Sequence, residues 1–162
     1  PKIFIDEIKE SYESLWEIFN EIGSPEKWVE TAIGRQREIY GKICLADFFL
    51  MSTNAITLEG ELINIDGRGN RVAFLCYGPQ NVLILTGMNK VVPDVESGIK
   101  RVRDIAAPPN AVRLNKKTPC AIIGKCEDCY SPDCMCGQFV VTRRSGVPNR
   151  IKVILVGEEL GY

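Results

Sequence analysis

Apolar residues recur through the opening of the chain at the spacing of one helix face. Ile5, Ile8, Tyr12, Leu15, Trp16, Phe19 and Ile22 fall within residues 3–22 with Glu and Lys between them, and Gly23 follows as a stop. This predicts an amphipathic helix. Ser24 and Pro25 suit an N-cap and a first helical position, and Trp28, Val29, Ala32, Ile33, Tyr40 and Ile43 continue the period through a second helix. Trp16 and Trp28 read as core anchors.

From Ala46 the period shortens. Phe48 to Met51 is an unbroken apolar run of strand length, Glu61 to Asp66 alternates like a half-buried strand, and Asn81 to Thr86 is the clearest buried strand in the chain. Gln138 to Thr142 and Ile151 to Val156 read as two more strands, joined through a Ser145–Asn149 turn into a hairpin that closes the sheet. Between them, Val72 to Cys76 suits a short buried helix. Asp94 caps a longer one, Val95 to Ala106, with Val95, Ile99, Val102 and Ile105 inward and Lys100, Arg101 and Arg103 outward. Pro108 and Pro109 end it, and a short helical piece follows from Asn110 to Leu114. Helices alternating with strands predict an α/β domain with a mostly parallel sheet flanked by helices.

Candidate chemistry lies where strands end. Small polar residues, Ser52 to Gly60, follow the first strand, at the carboxyl end where open α/β sheets place ligand contacts. Gly67-Arg-Gly-Asn-Arg71 follows the second; its glycines let main-chain amides approach a ligand, and Arg68 and Arg71 add cationic forks for carboxylate or phosphate. The turn reads as an anion cradle, the plain alternative being a tight turn with solvated arginines. Lacking a third glycine, it is not the dinucleotide fingerprint. Asn89 and Lys90 close the third strand, where the amine could meet the same ligand, although a surface lysine is the commoner outcome.

The densest signal is residues 118–137, which hold Cys120, Cys126, Cys129, Cys134 and Cys136, five of the seven cysteines. Thiolates are soft anionic ligands, and the two-residue gap between Cys126 and Cys129 lets both bend round one metal or one cluster edge. The chain has no histidine, so a zinc site here would be all-cysteine, whereas an iron-sulfur cluster ordinarily is. That favours iron-sulfur, with structural zinc, disulfides or free thiols as alternatives. Cys134 and Cys136 stand too close for both to ligate comfortably. Cys44 and Cys76, isolated among apolar neighbours, read as small core residues.

A chain of 162 residues is one domain by length and buries a normal core without disulfides. Its formal charge of −1 and pI near 5.7 leave no basic footprint for nucleic acid and no polybasic membrane patch, so the expected partners are small molecules or proteins, and the cationic glycine turn makes the small molecule an anionic metabolite. With no spanning run and no secretory pattern at the start, the cytoplasm is the default compartment, where clustered cysteines serve as metal ligands or redox groups. The first residue is proline rather than methionine, which points to an earlier start.

These segments resemble the LUD, or lactate-utilisation, domain family from about Ala46 to Tyr162. The marks are Asn54-Ala-Ile-Thr, Asn64-Ile-Asp-Gly-x-Gly-Asn-Arg71, Gly87-Met-Asn-Lys90, Ile105-Ala-Ala-Pro108, Thr118-Pro-Cys120, Cys126-x-x-Cys129-x-Ser-Pro-Asp133 and Ile154-Leu-Val-Gly-Glu-Glu-Leu-Gly161. The resemblance implies a fold similar to the sugar-phosphate isomerase, deaminase and CoA-transferase superfamily, and a setting in oxidation of lactate or similar 2-hydroxy acids beside iron-sulfur and flavin partners, which makes redox protein subunits the expected protein partners. It implies that Cys120, Cys126, Cys129 and Cys136 are the recurring ligands of the cysteine-bearing branch, with Cys134 extra. The family's usual strand and Gly-Gly-Ser turn ahead of Asn54 have no counterpart here; Gly23-Ser-Pro runs directly into a helix.

The expectation is therefore one LUD-like domain over residues 1–162, helical over 1–45, with an α/β core over 46–162. It would bind an iron-sulfur cluster of the 4Fe-4S type next to a pocket lined by Asn54, Thr57, Asn64, Asp66, Gly67, Gly69, Asn70 and Arg71. With no histidine for a catalytic triad, proton transfer falls to Asp66, Lys90 or a glutamate. The alternative is a non-catalytic binding or assembly subunit with a structural zinc loop and an anion-binding glycine turn.

Overall fold

A computed structural model describes residues 38–162. The chain divides into two compact units, Pro1–Lys42 and Ile43–Tyr162. The helix expected over residues 3–22, the opening of the second helix and both tryptophans lie outside the described residues; residues 38–44 are helical, as the period predicts.

The unit Ile43–Tyr162 is α/β with two sheets. Strands β1 (Phe48–Met51), β4 (Asn81–Gly87) and β7 (Ile151–Val156) form an all-parallel sheet in the order β1-β4-β7. Strands β2 (Ala55–Thr57), β3 (Leu62–Asp66), β5 (Val91–Val92) and β6 (Gln138–Thr142) form a mixed sheet in the order β5-β2-β3-β6. Among the described residues three of the five strand pairings are parallel. The expected hairpin does not form, because β6 pairs antiparallel with β3 while β7 joins β4 in the other sheet. Arg150 is the physical reason. Its buried guanidinium donates to the carbonyls of Leu75 at 2.6 Å, Phe74 at 2.8 Å and Pro79 at 3.0 Å, which anchors the start of β7 beside the start of β4.

Strand β3 is buried along nearly its whole length rather than on alternate residues, because it separates two cores. Ile63 and Ile65 pack with Ala55, Val92, Val102 and Ala106 on one side, while Leu62 packs with Met51, Leu75, Val82 and Ile84 on the other. Helix α1 (Asn70–Cys76) supplies Leu75 to the second core. Cys76 and Cys44 are both exposed, contrary to expectation; helix α1 turns Val72, Phe74 and Leu75 inward, and Cys76 falls off that face.

Asp94 caps helix α2 (Val95–Arg101), accepting from the Ser97 N–H at 2.8 Å. The prolines do not end the helical stretch. It widens into a π-helical turn over Val102–Ala106 and resumes as α3 (Ala107–Arg113), which contains both. Pro108 and Pro109 lack N–H groups and crowd the carbonyls four residues back, and a wider turn relieves both problems. Two orientations differ from the periodic reading as a result of local bonding and this widening. Ile105 is exposed, and Arg101 is buried, donating to the main-chain carbonyls of Asn54 at 2.8 Å and Asn89 at 3.0 Å. Helix α4 (Pro119–Ile123) then leads into the cysteine loop.

Candidate functional site: a thiol chamber beside a cationic cavity

Because β1, β4 and β7 run parallel, the segments after their carboxyl ends share one edge: Ser52 to Asn54, Met88 to Lys90, and Gly157 to Tyr162. Asn89 ties two of them together. Its side chain donates to the Gly161 carbonyl at 3.0 Å and accepts from the Leu160 N–H at 3.2 Å, which carries Gly161 and Tyr162 across the strand ends. Gly87 allows this crossing, since a Cβ there would lie 2.5 Å from the Glu158 carbonyl and the Leu160 nitrogen.

A cavity of about 820 Å³ opens at this edge. Of the expected pocket residues, Asn54, Asp66, Gly67 and Arg71 line it, as do Lys90, Arg68, Arg113 and Lys116. Thr57, Asn64, Gly69 and Asn70 do not line it. Thr57 closes its own turn, its hydroxyl accepting from the Glu61 N–H at 2.9 Å; Asn64 is fully buried in β3; Gly69 takes φ of 81° to start α1; Asn70 is exposed.

The glycine turn is not an open anion cradle. The N–H groups of Arg71 and Val72, which begin α1, both donate to the Asp66 carboxylate at 3.1 Å, so the chain fills that position with its own anion. The Arg71 guanidinium pairs with the same carboxylate at 2.8 Å and also donates to the Asn54 side-chain oxygen at 2.8 Å. Asn54 in turn accepts from the Ile65 N–H at 2.9 Å. Asp66, Arg71 and Asn54 thus brace the cavity wall. Gly67 and Gly137 serve close packing: the Gly137 N–H donates to the Asp66 carbonyl at 2.9 Å, and a Cβ on Gly137 would meet the Gly67 carbonyl at 2.7 Å. This contact seats the end of the cysteine loop on the turn after β3.

Lys90 is a buried charge without a counter-ion among the described residues. Only 6% of its surface is exposed, and its ammonium donates to the Ser52 hydroxyl at 3.2 Å. Among the described residues it has no carboxylate partner within ion-pair distance. Burial, with Arg101 and Arg71 nearby, pushes the amine below the usual lysine range.

The cysteine loop encloses a second cavity of about 390 Å³, lined by all five of its cysteines, Cys120, Cys126, Cys129, Cys134 and Cys136, with Arg103, Thr118, Ser131 and Phe139. All seven cysteines of the chain are free. Polar groups reach the sulfurs individually. Arg103 Nε donates to Cys126 Sγ at 3.3 Å, Thr118 lies 3.2 Å from Cys120 Sγ, Ser131 lies 3.6 Å from Cys129 Sγ, and the Cys136 N–H donates to Cys134 Sγ at 3.5 Å. Arg103 also pairs at 2.6 Å with Asp128, a loop residue held at φ of 51°. Hydrogen bonds from Ser131 pull the Cys129 thiol down, while burial, reinforced by Cys134, Cys126 and Cys120, pushes Cys136 up to about 12. The sulfurs surround a space rather than meet at a point: among the described residues no three His, Cys, Asp or Glu side chains are placed to hold one metal ion.

The two cavities share a wall, made by Ala107, Cys134, Met135 and Cys136. Sequence reasoning found the cysteines and Lys90 but missed the roles of Asn89, Arg101 and Arg150, whose partners are main-chain groups with no residue signature. No helix among the described residues is long and apolar enough to cross a membrane.

Comparison with known proteins rests on one family model. No curated protein matches the chain. A DUF162 family protein from Deinococcus radiodurans, solved by crystallography, is similar to it at 21% identity over 73% of this chain, with a TM-score of 0.42; the match spans 58% of that protein. The LUD domain model matches residues 3–156. The chain belongs to the LUD domain family.

Proposed function

We propose that this LUD-domain protein holds an iron-sulfur cluster in its cysteine loop and acts in the oxidation or conversion of lactate or a similar small 2-hydroxy acid. The observation that carries the reading is the shared wall: Cys134 to Cys136 face the thiol chamber on one side and the cationic cavity on the other. Cys120, Cys126, Cys129 and Cys136 are the proposed ligands. A cluster several atoms across needs thiolates spread round a space, which suits sulfurs lining a chamber better than a single zinc ion would. The N–H and O–H groups beside Cys126, Cys120 and Cys129 are of the kind that tune such centres. When bound, the cluster would take up and pass on electrons. Free thiols of this kind accord with a reducing compartment.

On the substrate side, Arg68 and Arg113 offer cationic partners for a carboxylate, while Lys116 lies 4.0 Å from the Asp133 carboxylate. Of the two candidate proton acceptors, Asp66 is committed to Arg71 and to two main-chain N–H groups, whereas Lys90 faces the cavity with a single hydroxyl partner. Lys90 is the better base.

Protein purified without oxygen tests the cluster. Brown protein with iron and acid-labile sulfide is expected, with both lost in Cys136→Ser and retained in Cys134→Ser. Colourless protein with stoichiometric zinc and no sulfide would instead support an assembly subunit with a structural zinc loop.

A further inference from the structure

We infer that Lys90 is a carbonyl-reactive amine, which condenses with the carbonyl carbon of a small 2-oxo acid to form an imine in the cationic cavity. The identity of the acid rests on the function proposed above, since a 2-oxo acid is what two-electron oxidation of a 2-hydroxy acid yields. The reactivity of the amine rests on its surroundings alone.

Three observations converge on this nitrogen. Lys90 is held by the short 3₁₀ turn Met88–Lys90 at the end of β4, buried, and lining the cavity. It lacks a carboxylate, and the cations near it are poorly balanced: Arg71 shares its charge with Asp66, but Arg101 is bound to main-chain carbonyls and brings no anion. A protonated Lys90 therefore adds a further positive charge beside Arg101 and Arg71, and burial together with those charges makes its proton easier to remove. The neutral amine is the form of lysine that attacks carbonyls, and burial of the side chain enlarges its share. The third observation is Ser52, whose hydroxyl stands 3.2 Å from the nitrogen and is placed to relay protons.

The chemistry balances without an oxidant or reductant. The nitrogen lone pair forms a bond to the carbonyl carbon, the C=O π pair moves to oxygen, and a proton passes from nitrogen to that oxygen through Ser52. A second proton transfer lets the hydroxyl leave as water, and a C=N bond remains. The carboxylate of the acid is met by Arg113, whose guanidinium is bonded to the neutral Asn110 amide oxygen at 2.7 Å rather than to a carboxylate, or by Arg68, which also lines the cavity.

Reductive trapping tests this. The full chain, purified without oxygen, is incubated near neutral pH with pyruvate and sodium cyanoborohydride, and in parallel with acetaldehyde, then read by intact and peptide mass spectrometry. The expected result is a single pyruvate adduct, the mass of pyruvic acid less one oxygen atom, mapped to Lys90, absent in Lys90→Arg and formed more slowly in Ser52→Ala. An acetaldehyde adduct at Lys90 with no pyruvate adduct would keep the reactive amine but overturn the 2-oxo acid as its partner. No adduct at Lys90 from either carbonyl, or adducts spread evenly over exposed lysines, overturns the inference; the iron and sulfide content still judges the proposed function separately.

Discussion

Replacing Asp66 with asparagine separates two roles of one carboxylate. Its side chain is 10% exposed and that of its partner Arg71 is 26% exposed, and besides the ion pair it accepts the N–H groups of Arg71 and Val72 at the start of α1. An amide of the same shape retains an oxygen for one or both N–H bonds but abolishes the charge. Breaking a fully buried pair costs about 3–5 kcal/mol. Arg71 keeps some access to water and its bond to Asn54, so the loss expected for Asp66→Asn is about 2–3 kcal/mol, read as a lowered urea midpoint with unchanged slope. The cavity wall meanwhile becomes one unit more positive. Oxalate, an anion without a reactive carbonyl, should bind roughly 3–10-fold more tightly to the variant at low salt, with the gain shrinking as salt rises. Calorimetric titration at two ionic strengths reads that change. Stability within about 0.5 kcal/mol of the parent refutes the bracing role. Weaker oxalate binding refutes the charge reasoning and would make Asp66 a positioning residue that holds Arg71 for the ligand.

Two further outcomes follow from the same edge of the sheet. The folded-state pKa of Lys90 is lowered, so below it the unfolded chain binds the proton more readily and the buried lysine costs stability; that cost is relieved as pH rises through the folded value towards 10.5. Lys90→Met should therefore stabilise the protein at pH 7, with the gain shrinking in urea titrations at higher pH, and an equal gain at all pH values would contradict it. Gly87→Ala drives a methyl group to 2.5 Å from main-chain atoms of Glu158 and Leu160, so the crossing segment must lift, at a cost of about 1–3 kcal/mol. Faster hydrogen exchange at Leu160, whose N–H bonds Asn89, would report the lifting; unchanged exchange there would refute it.

Much of the architecture was legible because strands and helices announce themselves by period. The segments Phe48–Met51, Asn81–Gly87 and Ile151–Val156 appear at or within a residue of where apolar runs predict them, and the Asp94 cap forms as its residue type implies. Partner choice between strands was not legible. Nothing in the residues 143–150 distinguishes a hairpin from a chain passing between sheets; the distinction comes from Arg150 finding three carbonyls contributed by α1 and the turn after it. The two prolines illustrate the same limit. Their missing N–H groups forecast a break, and the fold absorbs it in a π-helical turn that keeps Val102 and Ala106 in the core.

What the sequence determined by itself was composition of the site: which residues carry thiols, amines and guanidinium groups, and that they fall in loops after strands. Whether Asp66 is a free base or a structural anchor, whether Lys90 is a surface lysine or a buried amine, and whether the cysteine loop adjoins the cationic cavity were decided only by tertiary structure. The physical reason is that protonation and reactivity depend on burial and on charges brought from distant parts of the chain. Burial lowers the Lys90 pKa first, and Arg101 and Arg71, distant from it in sequence, add to that lowering only once the strand ends are gathered at one edge.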